Sequence, residues 1–205
     1  MEKQKYTAIV LAAGSGKRMN SKVHKQYLII QDRPVLYYSL KAFEDSAVDE
    51  IVLVVGKGEE KFCRKEIVDK YGISKVKAIV EGGKERYHSV FEGLKQTSDA
   101  DYVLIHDGAR PFVNQDIIRR CMQEVQKYQA CVVGMPVKDT IKIADEEGYA
   151  KQTPDRKNVW MIQTPQTFSY ALIYEAYEEM LKTEDTAITD DAMVLERIKG
   201  KKVKS

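Results

Sequence analysis

The feature that most constrains this chain is an alternation of short apolar runs with amphipathic stretches. The runs predict strands over Tyr6–Ala12, Ile51–Val55, Val76–Val80, Tyr102–His106 and Cys131–Pro136. Most are apolar at successive positions, which is typical of strands covered on both faces of a sheet. The intervening stretches predict helices over Pro34–Glu44, Glu59–Tyr71, Glu85–Gln96 and Gln115–Tyr128. This order predicts an α/β fold, a Rossmann-like and mostly parallel sheet flanked by helices.

One stretch, residues 138–157, departs from the alternation. Thr140–Ala144 and Tyr149–Gln152 are β-prone and flank a turn that ends at Gly148, a pattern that predicts a hairpin. We expect residues 138–157 to project as a β-arm from a single domain that spans residues 1–205. The remaining elements predicted are a strand over Asn158–Gln163 and helices over Ser169–Lys182 and Asp190–Ile198.

Composition excludes several classes of protein. Hydrophobic residues make up 43% of the 205 residues and charged residues 31%, so the chain is not intrinsically disordered. The formal net charge is only +2, which argues against a nucleic-acid partner. No apolar run approaches the ~18 residues of a membrane span, and no signal peptide is evident. Cys63, Cys121 and Cys131 form no CxxC pair, so we expect reduced thiols in a cytoplasmic protein without a membrane partner.

A glycine-rich turn, Ala12–Gly16, follows the first predicted strand and leads into basic residues. Backbone N–H groups of such a turn can converge on an anion, and Lys17, Arg18 and Lys25 add charge suited to a polyphosphate. The turn is not a Walker A loop, because Arg18 follows Gly-Lys, and it lacks the third glycine of a dinucleotide fingerprint. The alternative is an ordinary turn with its basic side chains in solvent.

Two further signals follow the third and fourth predicted strands. Gly82 and Gly83 lie just before a helix and allow close approach of a ligand to the backbone. Asp107 follows the fourth strand and, beside phosphates, is best suited to bind Mg²⁺. Because parallel strands end at one edge, all three sites should share a crevice. The alternatives are a tight turn for the glycines, and a helix cap or a salt bridge with Arg110 for Asp107.

The chain resembles the sugar-phosphate cytidylyltransferases of the sugar-phosphate nucleotidyltransferase family. It is most similar to the branch that acts on 2-C-methyl-D-erythritol 4-phosphate in the non-mevalonate isoprenoid pathway. Besides the motifs above, the segments that carry this resemblance are Lys25–Tyr27, Gly82–Arg86, His106–Pro111, Pro136–Lys142, Asp155–Arg156, Gln163–Gln166 and Ile188–Ala192. They cover nearly the whole chain in the family's order.

The resemblance implies an enzyme that joins CTP and the sugar-alcohol phosphate, releases pyrophosphate and uses Mg²⁺. It also implies a homodimer in which the 138–157 arm reaches the neighbouring active site. The catalytic residues implied are Arg18 and Lys25. The nucleotide-binding residues implied are Ala12, Ala13, Gly14, Ser15, Gly16, Gly82, Gly83, Arg86 and Ser89. The resemblance places Asp107 at the metal and the substrate, with Thr140, Arg156 and Thr189 also contacting the sugar-phosphate.

Two alternatives stay open at this point. The related enzymes that act on ribitol 5-phosphate in cell-wall polymer synthesis typically read LAGG where this chain has Leu11–Gly14, and they lack the pattern Thr189–Ala192. A non-catalytic nucleotide-binding module is the second alternative. The family continues past the last helix into a strand, a lysine-bearing segment and a final helix, and we expect these elements to be missing here.

Overall fold

The computed structural model describes residues 3–14, 23–183 and 188–205 of the chain. Its strands are β1 Tyr6–Ala12, β2 Ile29–Ile30, β3 Arg33–Pro34, β4 Glu50–Val55, β5 Val76–Glu81, β6 Tyr102–Asp107, β7 Ala130–Pro136, β8 Ile143–Ala144, β9 Ala150–Gln152 and β10 Trp160–Ser169. Its helices are α1 Val35–Glu44, α2 Glu60–Cys63, α3 Arg86–Leu94, α4 Gln115–Tyr128, α5 Tyr170–Met180 and α6 Asp191–Lys199. The predicted α/β class is confirmed.

The main sheet has six strands in the order β5-β4-β1-β6-β10-β7. Strands β5, β4, β1 and β6 are parallel, and β10 runs antiparallel to β6 and β7 on either side. The chain builds outward from β1 to β4 and β5, then returns to place β6 on the other side of β1. The crevice at the carboxyl ends of β1 and β6 is therefore the switch point at which ligands bind in open α/β sheets.

Helices cover both faces of the sheet, which is why its central strands are mostly apolar. On one face Leu36, Leu40 and Phe43 of α1 pack with Ile118 of α4, and all are buried. On the other face α3, α5 and α6 enclose a second buried cluster that includes Tyr177. Successive β1 residues alternate between the two clusters, as the period of a strand requires. Each face thus fixes β1, and with it the start of the glycine-rich turn.

Three predicted elements differ from the structure. The helix predicted over Glu59–Tyr71 is a single α-helical turn that continues as a π-helical segment, Arg64–Asp69. The strand predicted over Asn158–Gln163 is β10, which continues to Ser169, because its backbone pairs with strands on both sides in spite of its polar side chains. The predicted hairpin is present, but only β8 and β9 pair within it.

Candidate active site

The first wall of the crevice is the end of β1, which a buried glutamine holds in place. Gln26 lies in the short 3₁₀ turn Lys25–Tyr27 and is only 3% exposed. Its amide Nε2 donates to the carbonyl of Ala12 at 2.6 Å and to that of Gly14 at 3.2 Å. Lys25, next to it, is exposed. The turn that carries Lys25 is therefore fixed to the strand end that begins the glycine-rich turn.

Part of the predicted phosphate loop lies outside the described residues. This holds for Ser15, Gly16 and Arg18, which stay predictions. Ala12, Ala13 and Gly14 are described: Ala12 is buried, and the backbone at Gly14 faces open space, since a Cβ there would have no neighbour within 4 Å.

The second wall joins the two glycine-bearing segments. Gly82 donates its N–H to the carbonyl of Val55 at 2.8 Å, which continues the pairing of β4 with β5. A Cβ on Gly82 would lie 2.5 Å from the Cβ of Ala13 and 2.6 Å from the Oγ of Ser89. Gly83 donates its N–H to Ser89 Oγ at 3.1 Å. Only a residue without a side chain at position 82 allows these segments to come so close. The structure thus brings together four residues that the sequence predicted for one nucleotide site.

Asp107 lies at the end of β6 between two arginines. Its carboxylate is 2.9 Å from Arg110 Nε and 3.5 Å from Arg86 Nε. Burial raises the pKa of Asp107, but the positive charges of Arg86 and Arg110 more than offset this and hold that pKa below its ordinary value. Asp107 is therefore ionised at neutral pH, with 32% of its side chain exposed. The salt bridge with Arg110, one of the alternatives for this residue, is present.

These residues fit a magnesium ion that is held mainly by substrate. Among residues 3–14, 23–183 and 188–205 there is no group of three or more His, Cys, Asp or Glu side chains that could enclose a metal. Mg²⁺ in nucleotide enzymes usually takes one or two protein carboxylates, with phosphate oxygens and water completing its ligands. One ionised, partly exposed carboxylate beside the predicted polyphosphate site meets that requirement.

Arg86 is engaged with a buried carboxylate of helix α6. Its Nη1 and Nη2 donate to the two oxygens of Asp191, each at 2.8 Å, and Asp191 is 0% exposed. The hydroxyl of Tyr177 donates to the same carboxylate at 2.5 Å. Burial and the charge of Asp191 raise the pKa of Tyr177, so its phenol keeps its proton. The guanidinium predicted to face the nucleotide thus links α3 to α6, with Nε beside Asp107.

A neutral histidine supports Asp107 from inside the sheet. His106 is fully buried, and burial lowers its pKa well below the ordinary range. Its Nε2 lies 3.1 Å from the carbonyl of Arg110, which can only accept, so Nε2 carries the proton. Nδ1 then accepts from the Thr164 hydroxyl at 3.0 Å, and the Thr164 oxygen accepts from the Asp107 N–H at 3.2 Å. This chain fixes the backbone that carries the carboxylate.

The beginning of α6 is tied to β10 in the same region. Gln166 is buried; its Oε1 accepts from the N–H groups of Asp191 and Ala192, each at 3.0 Å, and its Nε2 donates to Asp190 at 3.0 Å. Thr189 precedes this helix and is exposed. The predicted substrate residue Thr189 therefore sits two positions before the carboxylate that holds Arg86.

Comparison with known proteins decides the family. Residues 6–205 match the family model of IspD, 2-C-methyl-D-erythritol 4-phosphate cytidylyltransferase. A relative of that name from Lachnospira eligens is 54% identical over 200 residues, which cover 97% of this chain and 88% of the relative. One from Lachnoclostridium phytofermentans is 52% identical over 193 residues, which cover 94% and 83%. The chain belongs to the 2-C-methyl-D-erythritol 4-phosphate cytidylyltransferase family.

Solved structures of this cytidylyltransferase family share the fold. The 4-diphosphocytidyl-2C-methyl-D-erythritol synthase of Anaerococcus prevotii matches with a TM-score of 0.86 at 36% identity, over 98% of this chain and 86% of that one. The 2-C-methyl-D-erythritol 4-phosphate cytidylyltransferase of Thermus thermophilus matches with a TM-score of 0.75 at 28% identity, over 96% and 85%. As a family member the chain is an enzyme, a nucleotidyltransferase that transfers a cytidylyl group.

The cytidylyltransferase arm holds the remaining predicted substrate residues. Thr140 and Arg156 are exposed, and Arg156 Nη1 donates to the carbonyl of Lys138 at 3.2 Å. No hydrogen bond or ion pair joins either side chain to Asp107 in the described part of the chain. The structure therefore does not pair Thr140 or Arg156 with Asp107, and both stay predictions.

Sequence reasoning missed three residues that build this cytidylyltransferase site. Gln26, Asp191 and Thr164 lie within quoted motifs, yet none was assigned a role. Their partners are 14, 105 and 58 positions away along the chain, so local patterns carry no sign of them. The one available signal is that each is a polar residue inside a family motif for which no ligand contact was predicted, since a polar side chain that binds no ligand must find its partner within the protein.

In the described residues, no helix is long and apolar enough to cross a bilayer.

Proposed function

We propose that this chain transfers the cytidylyl group of CTP to 2-C-methyl-D-erythritol 4-phosphate, with release of pyrophosphate, in isoprenoid biosynthesis. The observation that supports this most is the meeting of Ala13, Gly82 and Ser89 beside Asp107 at one edge of the sheet. The family assignment covers nearly the whole chain and carries the same activity in its name. We further propose that residues 1–205 form a single domain, with 138–157 as its arm, and that it acts in the cytoplasm.

The reaction needs no nucleophile from the protein. A phosphate oxygen of the sugar-alcohol phosphate, anionic at neutral pH, attacks the α-phosphorus of CTP. The new O–P bond forms as the bond from the α-phosphorus to the bridging oxygen breaks, and the electron pair leaves with pyrophosphate. Catalysis then depends on alignment and on stabilising negative charge. We assign that charge stabilisation to Lys25 and Arg18.

The nucleotide is proposed to lie between the two glycine-bearing segments. Ala12 to Gly16 would surround the phosphates with backbone N–H groups, whereas Gly82, Gly83 and Ser89 would receive the base and ribose. Arg86 takes part through its position, since its charge is already balanced by Asp191. It therefore shapes the nucleotide site and the setting of Asp107 instead of adding a free positive charge.

Asp107 would hold Mg²⁺ together with the triphosphate oxygens. When bound, the ion would neutralise negative charge on the triphosphate and on the departing pyrophosphate. Arg110 is 2.9 Å from Asp107 and also hydrogen-bonds Gln163. It therefore orients the carboxylate that would hold the ion.

A two-fold homodimer is proposed to complete the substrate site. Arg156 suits bidentate capture of a phosphate, but its arm projects from its own body. Exposed apolar side chains line the arm and its base, namely Met135, Ile141, Ile143, Tyr149, Trp160 and Met161. Isologous pairing would bury them and carry Thr140 and Arg156 to the partner's Asp107, where Thr189 also meets the sugar-phosphate.

Complementation between subunits tests the composite site. Full-length Lys25→Ala and Arg156→Ala proteins, each inactive alone, should regain partial activity when mixed under conditions of proven subunit exchange. One of the two sites in the mixed dimer then carries neither substitution. No recovery would mean that the arm acts within its own subunit.

The substrate is tested by measuring pyrophosphate release from CTP with each of two acceptors in parallel. We expect turnover with 2-C-methyl-D-erythritol 4-phosphate and little with ribitol 5-phosphate, and loss of turnover when EDTA removes divalent cations. Turnover with ribitol 5-phosphate alone would reassign the enzyme to cell-wall polymer synthesis. Binding of CTP without turnover on either acceptor would support a non-catalytic module.

A further inference from the structure

The turn that carries Lys25 is held by one carboxylate, that of Glu59. Glu59 follows β4 and lies at the start of α2. Its Oε1 is 3.0 Å from His24 Nδ1, and its Oε2 accepts from the Tyr27 hydroxyl at 2.7 Å. One side chain thus binds a residue on each side of Lys25.

Glu59 is itself held in a fixed orientation. Its Oε2 also accepts from the N–H of Gly56 at 3.1 Å, and a Cβ on Gly56 would lie 2.7 Å from that oxygen. Only 21% of the Glu59 side chain is exposed. The carboxylate therefore sits on the end of β4, with a backbone N–H to orient it, and cannot turn to solvent without leaving that donor unpaired.

A buried thiol extends the same network. Burial raises the pKa of Cys63 to about 11, so the thiol keeps its proton and can donate to the Tyr27 oxygen, which lies 3.1 Å from Sγ. Tyr27 in turn donates to Glu59, and the ring of Phe62 meets its edge at a centroid distance of 5.2 Å. Tyr27 has one orientation in which all of these contacts are made.

Gln26 fixes the turn from the opposite side. It reaches inward to the carbonyls of Ala12 and Gly14, whereas His24 and Tyr27 reach across to Glu59. Three of the four residues His24–Tyr27 are therefore anchored, and the fourth, Lys25, is exposed.

We propose that Glu59 is a positioning residue for Lys25. Glu59 would touch neither CTP nor the sugar-alcohol phosphate; it fixes the backbone from which Lys25 would meet the developing charge. The inference rests on the proposed catalytic role of Lys25. A displacement of about 1 Å at a catalytic group can cost about 10²-fold in rate, which gives a remote anchor a measurable effect on turnover.

The test compares kcat for pyrophosphate release in full-length variants. Glu59→Ala should lower kcat about 10–100-fold. Glu60→Ala, which removes the adjacent carboxylate, should leave kcat within about twofold of wild type, because among the described residues Glu60 makes no hydrogen bond or ion pair to His24–Tyr27. Glu59→Gln keeps an oxygen for Tyr27 and Gly56 and an amide for His24, so it should retain most of the activity.

A double-variant cycle separates positioning from general damage to the fold. In the Lys25→Ala background, Glu59→Ala should lower kcat by less than about twofold, because its effect passes through Lys25. Losses that multiply in the double variant, or a Glu59→Gln protein as slow as Glu59→Ala, would overturn the proposal. So would a Glu59→Ala protein with wild-type kcat. Full activity of Lys25→Ala would instead overturn the catalytic assignment itself.

Discussion

Replacing Asp191 with Asn should lower the melting temperature of this protein by several degrees. The substitution removes the negative charge that meets both terminal nitrogens of Arg86 at 2.8 Å and the Tyr177 hydroxyl at 2.5 Å. Breaking a buried ion pair by removing one partner costs about 3–5 kcal/mol. Asp191 is 0% exposed, but one third of the Arg86 side chain is exposed to solvent. We therefore expect a loss of stability at the lower end of this range, about 3 kcal/mol.

Thermal unfolding measures this directly. For a chain of this size, each kcal/mol lowers Tm by about 2–4 °C, so Asp191→Asn should melt about 6–12 °C below wild type. Asp116→Asn is the matched control, because Asp116 pairs with Arg119 and Arg120 on an exposed helix surface and its loss should leave Tm nearly unchanged.

A triple variant tests whether the loss comes from an uncompensated charge. Arg86→Met with Asp191→Leu removes both charges and fills the space with apolar groups, which often recovers the stability of a broken pair. Tyr177→Phe is added because the buried Tyr177 hydroxyl would otherwise lose its acceptor. We expect the triple variant to melt well above Asp191→Asn. An Asp191→Asn protein that unfolds within about 1 °C of wild type, or a triple variant less stable than Asp191→Asn, would refute this explanation.

Two further predictions concern the glycine contact and the buried histidine. Gly82→Ala places a Cβ against Ala13 and Ser89, so it should lower the free energy of unfolding by about 1–3 kcal/mol. It should also raise the KM for CTP more than it changes kcat, and an unchanged KM would contradict the proposed nucleotide site. Because burial lowers the pKa of His106, the unfolded chain binds a proton at mildly acidic pH when the folded chain does not. The free energy of unfolding therefore keeps its full value above about pH 6.5 and decreases as pH falls below it, by up to ~1.4 kcal/mol per pH unit. Urea unfolding of wild type and His106→Gln at pH 7 and pH 5 should therefore show the smaller pH effect in the variant, and equal pH effects would refute the assignment.

The fold was largely predictable because its signals are local. The four parallel strands are mostly apolar. Caps mark the helix ends, such as Asp190 at the start of α6 and Gly200 at its end. Strand β10 was only partly predicted, because Gln163–Gln166 interrupts its apolar pattern and its register shifts there. Its pairing partners on both sides come from distant parts of the chain, and local periodicity cannot identify them.

In the candidate site, too, the residues with local sequence signals could be predicted, and those that depend on long-range contacts could not. Residues proposed to meet a ligand through the backbone, such as Gly82, are marked by composition and by their place after a strand. Residues that act through other residues, such as Gln26, Glu59 and Asp191, are marked only by the fold. Arg86 stays a predicted nucleotide-binding residue, and its motif gave no sign that its guanidinium also pairs with Asp191.

The proposed activity and the role of Lys25 are best tested together, by the turnover number of wild type and Lys25→Ala with saturating CTP, 2-C-methyl-D-erythritol 4-phosphate and Mg²⁺. We expect wild type to release pyrophosphate only when both substrates are present. We expect Lys25→Ala, with an unchanged Tm, to be slower by about 10²–10³-fold, the usual cost of one well-placed charge-stabilising donor. Near wild-type turnover by a folded Lys25→Ala protein would refute the catalytic role proposed for Lys25.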